Sequence, residues 1–155
     1  MEKIALEEHF KYEIFEQYDE EVMEGNKFPA LTDPARRKML NQRFYKPVST
    51  HRLPDMDAHN VAIHIISPDT RFVQSTLDAK KAVEVARIVN DKAYEFVNQA
   101  PERFRAFAIL PMQDPEAAVE ELRFRIKDQC FVGAFVHGHT HFSYYDEEKY
   151  DPIWS

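Results

Sequence analysis

The sequence has 155 residues, which is enough for one domain with a hydrophobic core and too few for two. Its composition, 44% hydrophobic and 30% charged with only three glycines, is typical of a globular protein and excludes a disordered or fibrous chain. The formal charge of −7 gives no general attraction to nucleic acid or to anionic membranes, so neither is an expected partner.

Cysteine content and the N-terminus bear on the cellular compartment. The lone Cys130 cannot form an internal disulfide. The first residues lack the basic and apolar segments of a signal peptide, and no apolar run is long enough to span a bilayer. We therefore expect a reducing, cytoplasmic location.

The chain begins with a predicted strand over residues 3–10. Strict alternation along this strand places Ala5, Glu7 and His9 on one face. Residues 11–58 are interrupted by several prolines and are expected to form an insertion over one end of the fold, with only short helical pieces.

Apolar periodicity predicts a regular succession of elements after the insertion. The further strands cover residues 60–67, 104–110 and 131–137. Helices are predicted over residues 34–43 and 77–99, from residue 114 onward, and in a last turn near residue 151, with Asp78 and Asp114 as N-caps. The expected buried stripe of the helix after residue 114 is Ala118, Val119, Leu122 and Ile126. Strands that alternate with helices indicate an α/β fold of parallel strands joined by helical crossovers.

Glu7 and His9 are the first candidate functional residues. They lie near the end of the first strand, where parallel α/β folds gather functional groups. Carboxylate and imidazole are both ligands of divalent metals, and an i, i+2 pair on a strand directs them toward one point. The spacing alone leaves open a simpler interpretation, an exposed polar strand end.

Three histidines at alternate positions form the second candidate group: His137, His139 and His141. They follow the last strand, where they are candidates for a metal site or for a substrate contact, most of all His137, or are solvated loop residues. His64 lies inside a strand and is predicted to be a hydrogen-bonded core histidine. Ser67 lacks the surrounding glycines of a nucleophile elbow, and Cys130 is expected to be a structural thiol.

Several segments together resemble one family, the metal-dependent decarboxylase branch of the amidohydrolase superfamily, typified by dihydroxybenzoate (γ-resorcylate) decarboxylases. The segments that carry the resemblance are residues 3–10 (KIALEEHF), 56–59 (MDAH), 104–115 (FRAFAILPMQDP), 131–134 (FVGA), 144–146 (YYD) and 150–154 (YDPIW). They occur in order along the whole chain outside the insertion. The resemblance implies that residues 1–155 are the N-terminal half of a TIM-type (β/α)₈ barrel, as a single partial domain.

The resemblance also implies a chemistry. Glu7 and His9 become two ligands of one divalent ion, with zinc or manganese expected and magnesium as an alternative. In the family this ion holds a phenolic oxygen and the carboxylate of an aromatic acid, a carboxylic acid protonates the ring carbon, and CO₂ leaves. The small-molecule carboxylic acid is thus the expected partner, and the full-length protein is expected to form a homo-oligomer.

Two departures from the family pattern limit what can be carried over. His137 and Gly138 stand where the family usually has Asn-Gly, so the substrate preference stays open. The family's remaining ligands, a later histidine and an aspartate that is also the expected proton donor, are expected beyond residue 155. No catalytic residue is therefore assigned within this chain, and the isolated chain is expected to be inactive.

Three alternatives remain at this stage. The same branch contains metal-dependent hydrolases that open lactones or related rings. A truncated product is also compatible with a non-catalytic role as an interaction module, because a half barrel exposes sheet edges. Lastly, His137, His139 and His141 are candidates to complete a new metal site with Glu7 and His9.

Overall fold

The computed structural model describes residues 2–12, 48–68, 71–129 and 131–155. Within them the strands are β1 (Lys3–Phe10), β2 (Val61–Pro68), β3 (Phe104–Ile109), β4 (Gly133–Phe135), β5 (His139–Thr140) and β6 (Ser143–Tyr144). The α-helices are α1 (Leu53–Ala58), α2 (Arg71–Ser75), α3 (Ala79–Val97), α4 (Pro115–Gln129) and α5 (Asp151–Trp154). One turn of π-helix, Val48–Arg52, precedes α1, and one turn of 3₁₀ helix, Glu148–Tyr150, precedes α5.

Strands β1 to β4 form one sheet in the order β1-β2-β3-β4, and every neighbouring pair is parallel. This confirms the predicted α/β order of strands and helical crossovers. The fourth strand is shorter than predicted, because only Gly133–Phe135 pairs with β3. The hairpin β5-β6 that follows it was not predicted.

Part of the prediction falls outside the described residues. This holds for the helix expected at residues 34–43, for most of the insertion expected at residues 11–58, and for Cys130. The described end of that segment, residues 48–58, is helical and leads directly into β2.

The two long helices begin where the sequence places their caps. The Asp78 carboxylate accepts hydrogen bonds from the backbone N–H groups of Lys80 and Lys81, and so satisfies two donors at the start of α3. Asp114 accepts from the Ala117 N–H in the same way at the start of α4. Local sequence thus determines where both crossovers begin.

One face of the sheet is covered by α3 and holds most of the hydrophobic core. Phe10, Ile66 and Phe104 on this face have no exposed surface. Phe96 of α3 packs between two of them, with its ring centroid 4.9 Å from that of Phe10 and 5.2 Å from that of Phe104. Pairs of this geometry add to the free energy gained from burial alone. We call this the helix-covered face.

The buried stripe of α4 agrees with the prediction in three of its four residues. Ala118 is buried, and Val119 and Leu122 are partly buried against the core. Ile126 is instead 43% exposed, and the charged side chains of Glu121 and Arg125 are buried. Arg125 Nε donates to Glu121 Oε1 at 2.7 Å, and Asn90 of α3 donates to the same oxygen at 2.8 Å. The charges compensate each other's desolvation, so helical periodicity of apolar residues could not reveal this arrangement.

The opposite face of the sheet carries His9, Ser67 and Phe135, and we call it the open face. In the register of the sheet, His9 pairs with Ser67 and Ala5 pairs with His64. His64 and Ser67 are three positions apart in β2 and point to opposite faces, so Ala5 and His9 do as well. The register shift between Ala5 and Glu8 is the cause, and the predicted placement of Ala5 on the same face as His9 is wrong.

None of the helices in the described ranges combines the length and the apolar character needed to cross a bilayer.

Candidate active site

His9 lies at the C-terminal end of β1, where its ring meets the end of β2. Its Nδ1 is 3.3 Å from the carbonyl oxygen of Ser67 and 3.0 Å from the hydroxyl of the same residue. A carbonyl oxygen only accepts hydrogen bonds, so the 3.3 Å contact forms in the tautomer that carries the proton on Nδ1, whereas the hydroxyl can pair with either tautomer. In this tautomer Nε2 carries the lone pair, which is how metal-ligating histidines are held by outer partners.

The end of β4 meets His9 across the open face. The Phe135 ring is 5.8 Å from the His9 ring and nearly perpendicular to it, at 74°. The His137 ring also packs on Phe135, with 5.4 Å between the ring centroids and an edge-to-face angle of 80°. Although β1 and β4 are the two edges of the sheet, their side chains meet, so the strand ends enclose a concave site. His9, Phe135 and His137 form an aromatic row along it.

The structure brings together only part of the predicted metal site. Glu7 is in β1, two residues before His9, but its side chain lies outside the described part of the structure. No three His, Cys, Asp or Glu side chains converge on a possible metal position within the described ranges. His139 instead stacks on Phe142 at 8° between ring planes, and both are exposed on the hairpin. Without the Glu7 side chain, the histidines after β4 and His9 form no metal site among the described side chains, and a site that also includes Glu7 stays a prediction.

Arg52 supports the backbone of the site, and sequence reasoning did not identify it. The residue is 93% buried, and its guanidinium lies 5.2 Å from the ring centroid of Phe96 and donates to the His9 carbonyl oxygen. Burial lowers the pKa of Arg52, and the nearby Glu8 carboxylate opposes this shift. The residue lies in the segment expected to be an insertion, so nothing in its local pattern indicated a contact with His9.

His64 is buried, as predicted for a core histidine, with its ring 6.1 Å from that of Phe104 on the helix-covered face. The expected hydrogen bond is not found at Nδ1, which has no partner among the described residues. Burial lowers the pKa of His64. This residue therefore belongs to the core and faces away from the aromatic row.

Comparison with known proteins agrees with this geometry. The amidohydrolase family model matches residues 48–155. The gamma-resorcylate decarboxylase of Rhizobium radiobacter is 37% identical to this chain over 158 residues, which cover 98% of this chain and 45% of the relative.

Solved structures give the same result. A 2,6-dihydroxybenzoate decarboxylase in complex with 2,6-dihydroxybenzoate superposes with a TM-score of 0.82 at 38% identity, covering 99% of this chain and 46% of that one. A dihydroxybenzoic acid decarboxylase from Polaromonas sp. JS666, with bound manganese and the inhibitor 2-nitroresorcinol, gives 0.82 at 37% identity, covering 99% and 45%.

These matches have two consequences. The chain spans about half the length of the curated relatives it matches, since each alignment covers nearly all of this chain and 45% of the relative. The four parallel strands with their crossover helices correspond to the first half of the barrel, as the resemblance implied. By the extent of the family match and by its identity to these relatives, the chain belongs to the amidohydrolase family.

Proposed function

We propose that the full-length protein is a metal-dependent decarboxylase of a hydroxylated aromatic carboxylic acid, and that residues 1–155 supply the first half of its site. The relatives at 35–39% identity are gamma-resorcylate decarboxylases. Their names favour carbon–carbon bond cleavage over ring-opening hydrolysis.

The observation that carries the proposal is the hydrogen bonding of His9. Nδ1 is occupied by Ser67, which fixes the ring and leaves the lone pair on Nε2. Glu7, two residues earlier in the same strand, supplies a carboxylate of the type that zinc and manganese accept. We assign Glu7 and His9 as two ligands of one divalent ion, whose chemistry when bound is Lewis-acid anchoring of the acid substrate.

The aromatic row provides the remaining contacts that this chain can offer. The Phe135 ring contacts both imidazoles and presents an apolar wall against which a flat aromatic substrate packs. His137 is the second imidazole of the row, and its N–H binds the carboxylate or phenolic oxygen of the substrate. The further ligands and the proton donor are expected in sequence beyond residue 155, so the 155-residue chain alone is expected to be inactive.

The test uses the full-length protein and a pair of neighbouring carboxylates. Glu7→Gln is expected to abolish both stoichiometric metal binding and CO₂ release from 2,6-dihydroxybenzoate. Glu8→Gln is the matched control, because Glu8 pairs with Ile66 in the sheet and therefore faces away from His9. It is expected to retain the metal.

Two results would contradict the proposal. One is full metal content and activity in Glu7→Gln. The other is a wild-type protein that opens a lactone ring but releases no CO₂ from any hydroxybenzoate, which would favour the hydrolase alternative.

A further inference from the structure

Gln74 of α2 lies at the centre of a buried polar network that joins two loops above the open face. The side chain is 94% buried. Its Oε1 accepts a hydrogen bond from the backbone N–H of His137 at 2.7 Å. Its Nε2 donates to Thr140 Oγ1 at 3.1 Å and to the Tyr145 hydroxyl. One amide side chain thus links the loop after β2 to the segment after β4.

The orientation of the amide follows from its partners. The His137 backbone N–H can only donate, so the atom 2.7 Å away must be the amide oxygen. Nε2 then faces the two hydroxyls, which also contact each other at 2.9 Å. A flipped amide would place two donors together and leave a buried N–H without an acceptor, which is costly.

The position of α2 is itself fixed from the neighbouring loop. Gln113, which follows β3, donates through Nε2 to the backbone carbonyls of Val73 and Thr76 at 2.6 and 2.8 Å. These bonds fix the backbone before and after Gln74. The loops after β2, β3 and β4 are therefore connected, and Gln74 is the member of this connection that reaches His137.

The bond is made at the residue where the aromatic row ends. The His137 ring packs on Phe135, which in turn packs on His9. Because β4 ends at Phe135, His137 lies outside the pairing of β3 with β4. The bond from Gln74 supplies a constraint that the sheet does not provide.

We propose that Gln74 is a positioning residue for substrate recognition: it holds the His137 backbone so that the imidazole keeps its place beside Phe135. The proposal rests on the proposed function, in which His137 contacts the acid substrate. Gln74 itself does not touch the substrate, and its effect on recognition passes through His137.

The experiment is a double-mutant cycle in the full-length, metal-loaded protein. Gln74→Met keeps the volume of the side chain and removes its hydrogen bonds, so folding is expected to survive. With 2,6-dihydroxybenzoate as substrate, we expect KM to rise about tenfold at unchanged metal content, the size of effect expected from losing the one bond that holds His137. In a His137→Ala background the same substitution is expected to leave KM unchanged, because the imidazole it positions is gone.

Tyr145→Phe is the matched control within the network. It removes one partner of Gln74 Nε2 but leaves the bond from the His137 N–H to Oε1. It is expected to lower thermal stability without changing KM. Equal KM effects of Gln74→Met in the two backgrounds, or an equal effect of Tyr145→Phe, would overturn the positioning role and leave a merely structural one.

A second measurement separates this proposal from the proposed function. The His137 ring resonances of the full-length protein, assigned by their loss in His137→Ala, report its surroundings without turnover. We expect Gln74→Met to shift them and Tyr145→Phe to leave them in place. Unchanged resonances in Gln74→Met reject the positioning role even if the enzyme is active. A wild-type protein that neither binds nor decarboxylates a hydroxybenzoate rejects the proposed function even if the resonances shift.

Discussion

The two faces of the sheet use aromatic side chains differently. On the helix-covered face, Phe10, Phe96 and Phe104 pack ring to ring with 5% exposure or less. On the open face, the Phe135 ring meets two imidazoles, and one of these is hydrogen-bonded to Ser67. The first arrangement buries apolar area, and the second holds polar ring nitrogens beside an apolar wall.

Under the proposed function, this difference assigns stability and chemistry to separate faces of the same four strands. Because neighbouring residues of a strand point to opposite faces, Phe10 contributes to the core while His9, one residue earlier, faces the site. Substitutions on the helix-covered face should therefore show their effect in unfolding measurements, and substitutions on the open face in metal binding.

The largest expected effect is on the helix-covered face. Phe104→Ala removes a ring with no exposed surface and is expected to lower the free energy of unfolding by about 4 kcal/mol, roughly a thousandfold in the equilibrium constant. Phe142→Ala is the matched control, because Phe142 is 86% exposed, and should change it by less than about 0.5 kcal/mol. Denaturant unfolding measures both, and equal losses would contradict the assignment of the core.

The second effect is on the open face. His9→Ala in the full-length protein is expected to weaken metal affinity more than a hundredfold and to retain the fold. This loss is larger than the loss expected when a residue that only hydrogen-bonds to a metal ligand is removed. His59→Ala is the control, since the His59 side chain is 69% exposed and lies before β2. Metal content after dialysis measures the difference. Retained metal in His9→Ala would remove His9 from the site.

A smaller effect is expected one contact further out. Ser67→Ala removes the hydroxyl 3.0 Å from His9 Nδ1 but keeps the Ser67 carbonyl, so we expect metal affinity to fall by about tenfold. Ser143→Ala, whose hydroxyl contacts Glu147 and Tyr150 instead, should have no effect. Competition with a chelator measures the affinity. An effect as large as that of His9→Ala would make Ser67 itself a ligand candidate.

The helix-covered face was largely predictable from the sequence. The apolar period of residues 77–99 and the Asp78 cap identified α3, which begins at Ala79 and ends at Val97. Local signals suffice here because one amphipathic helix packs on one strand face. The same reasoning failed for Ile126 in α4, where the buried positions are held by the ion pair of Glu121 and Arg125. Periodicity of apolar residues does not register a buried charge that has a partner.

The open face was predictable only in part. The motif resemblance pointed to Glu7 and His9, and the position after the fourth strand pointed to His137; the rings of His9 and His137 both contact Phe135. Arg52 and Gln74 were missed because their contacts join residues that are 43 and 63 positions apart in the chain. The register shift in β1 was missed for a related reason. It is determined by pairing with β2, whereas a prediction from strict alternation takes the strand to be regular throughout.

The smallest expected effect concerns the pH dependence of stability. It uses a core residue to test whether the two faces act separately. The charged groups around His64 are Glu8, Arg52, Asp55 and Arg103. Burial is the main cause that lowers the pKa of His64 in the folded protein below its ordinary value of 6.5, so the unfolded chain takes up a proton first as the pH falls. The stabilisation is therefore complete above about pH 6.5 and is lost progressively below it. His64→Leu should flatten this part of the unfolding profile, whereas His59→Ala should leave it intact. An unchanged slope in His64→Leu would place the acid-sensitive group elsewhere, and a change in metal affinity in that variant would show that the two faces are coupled.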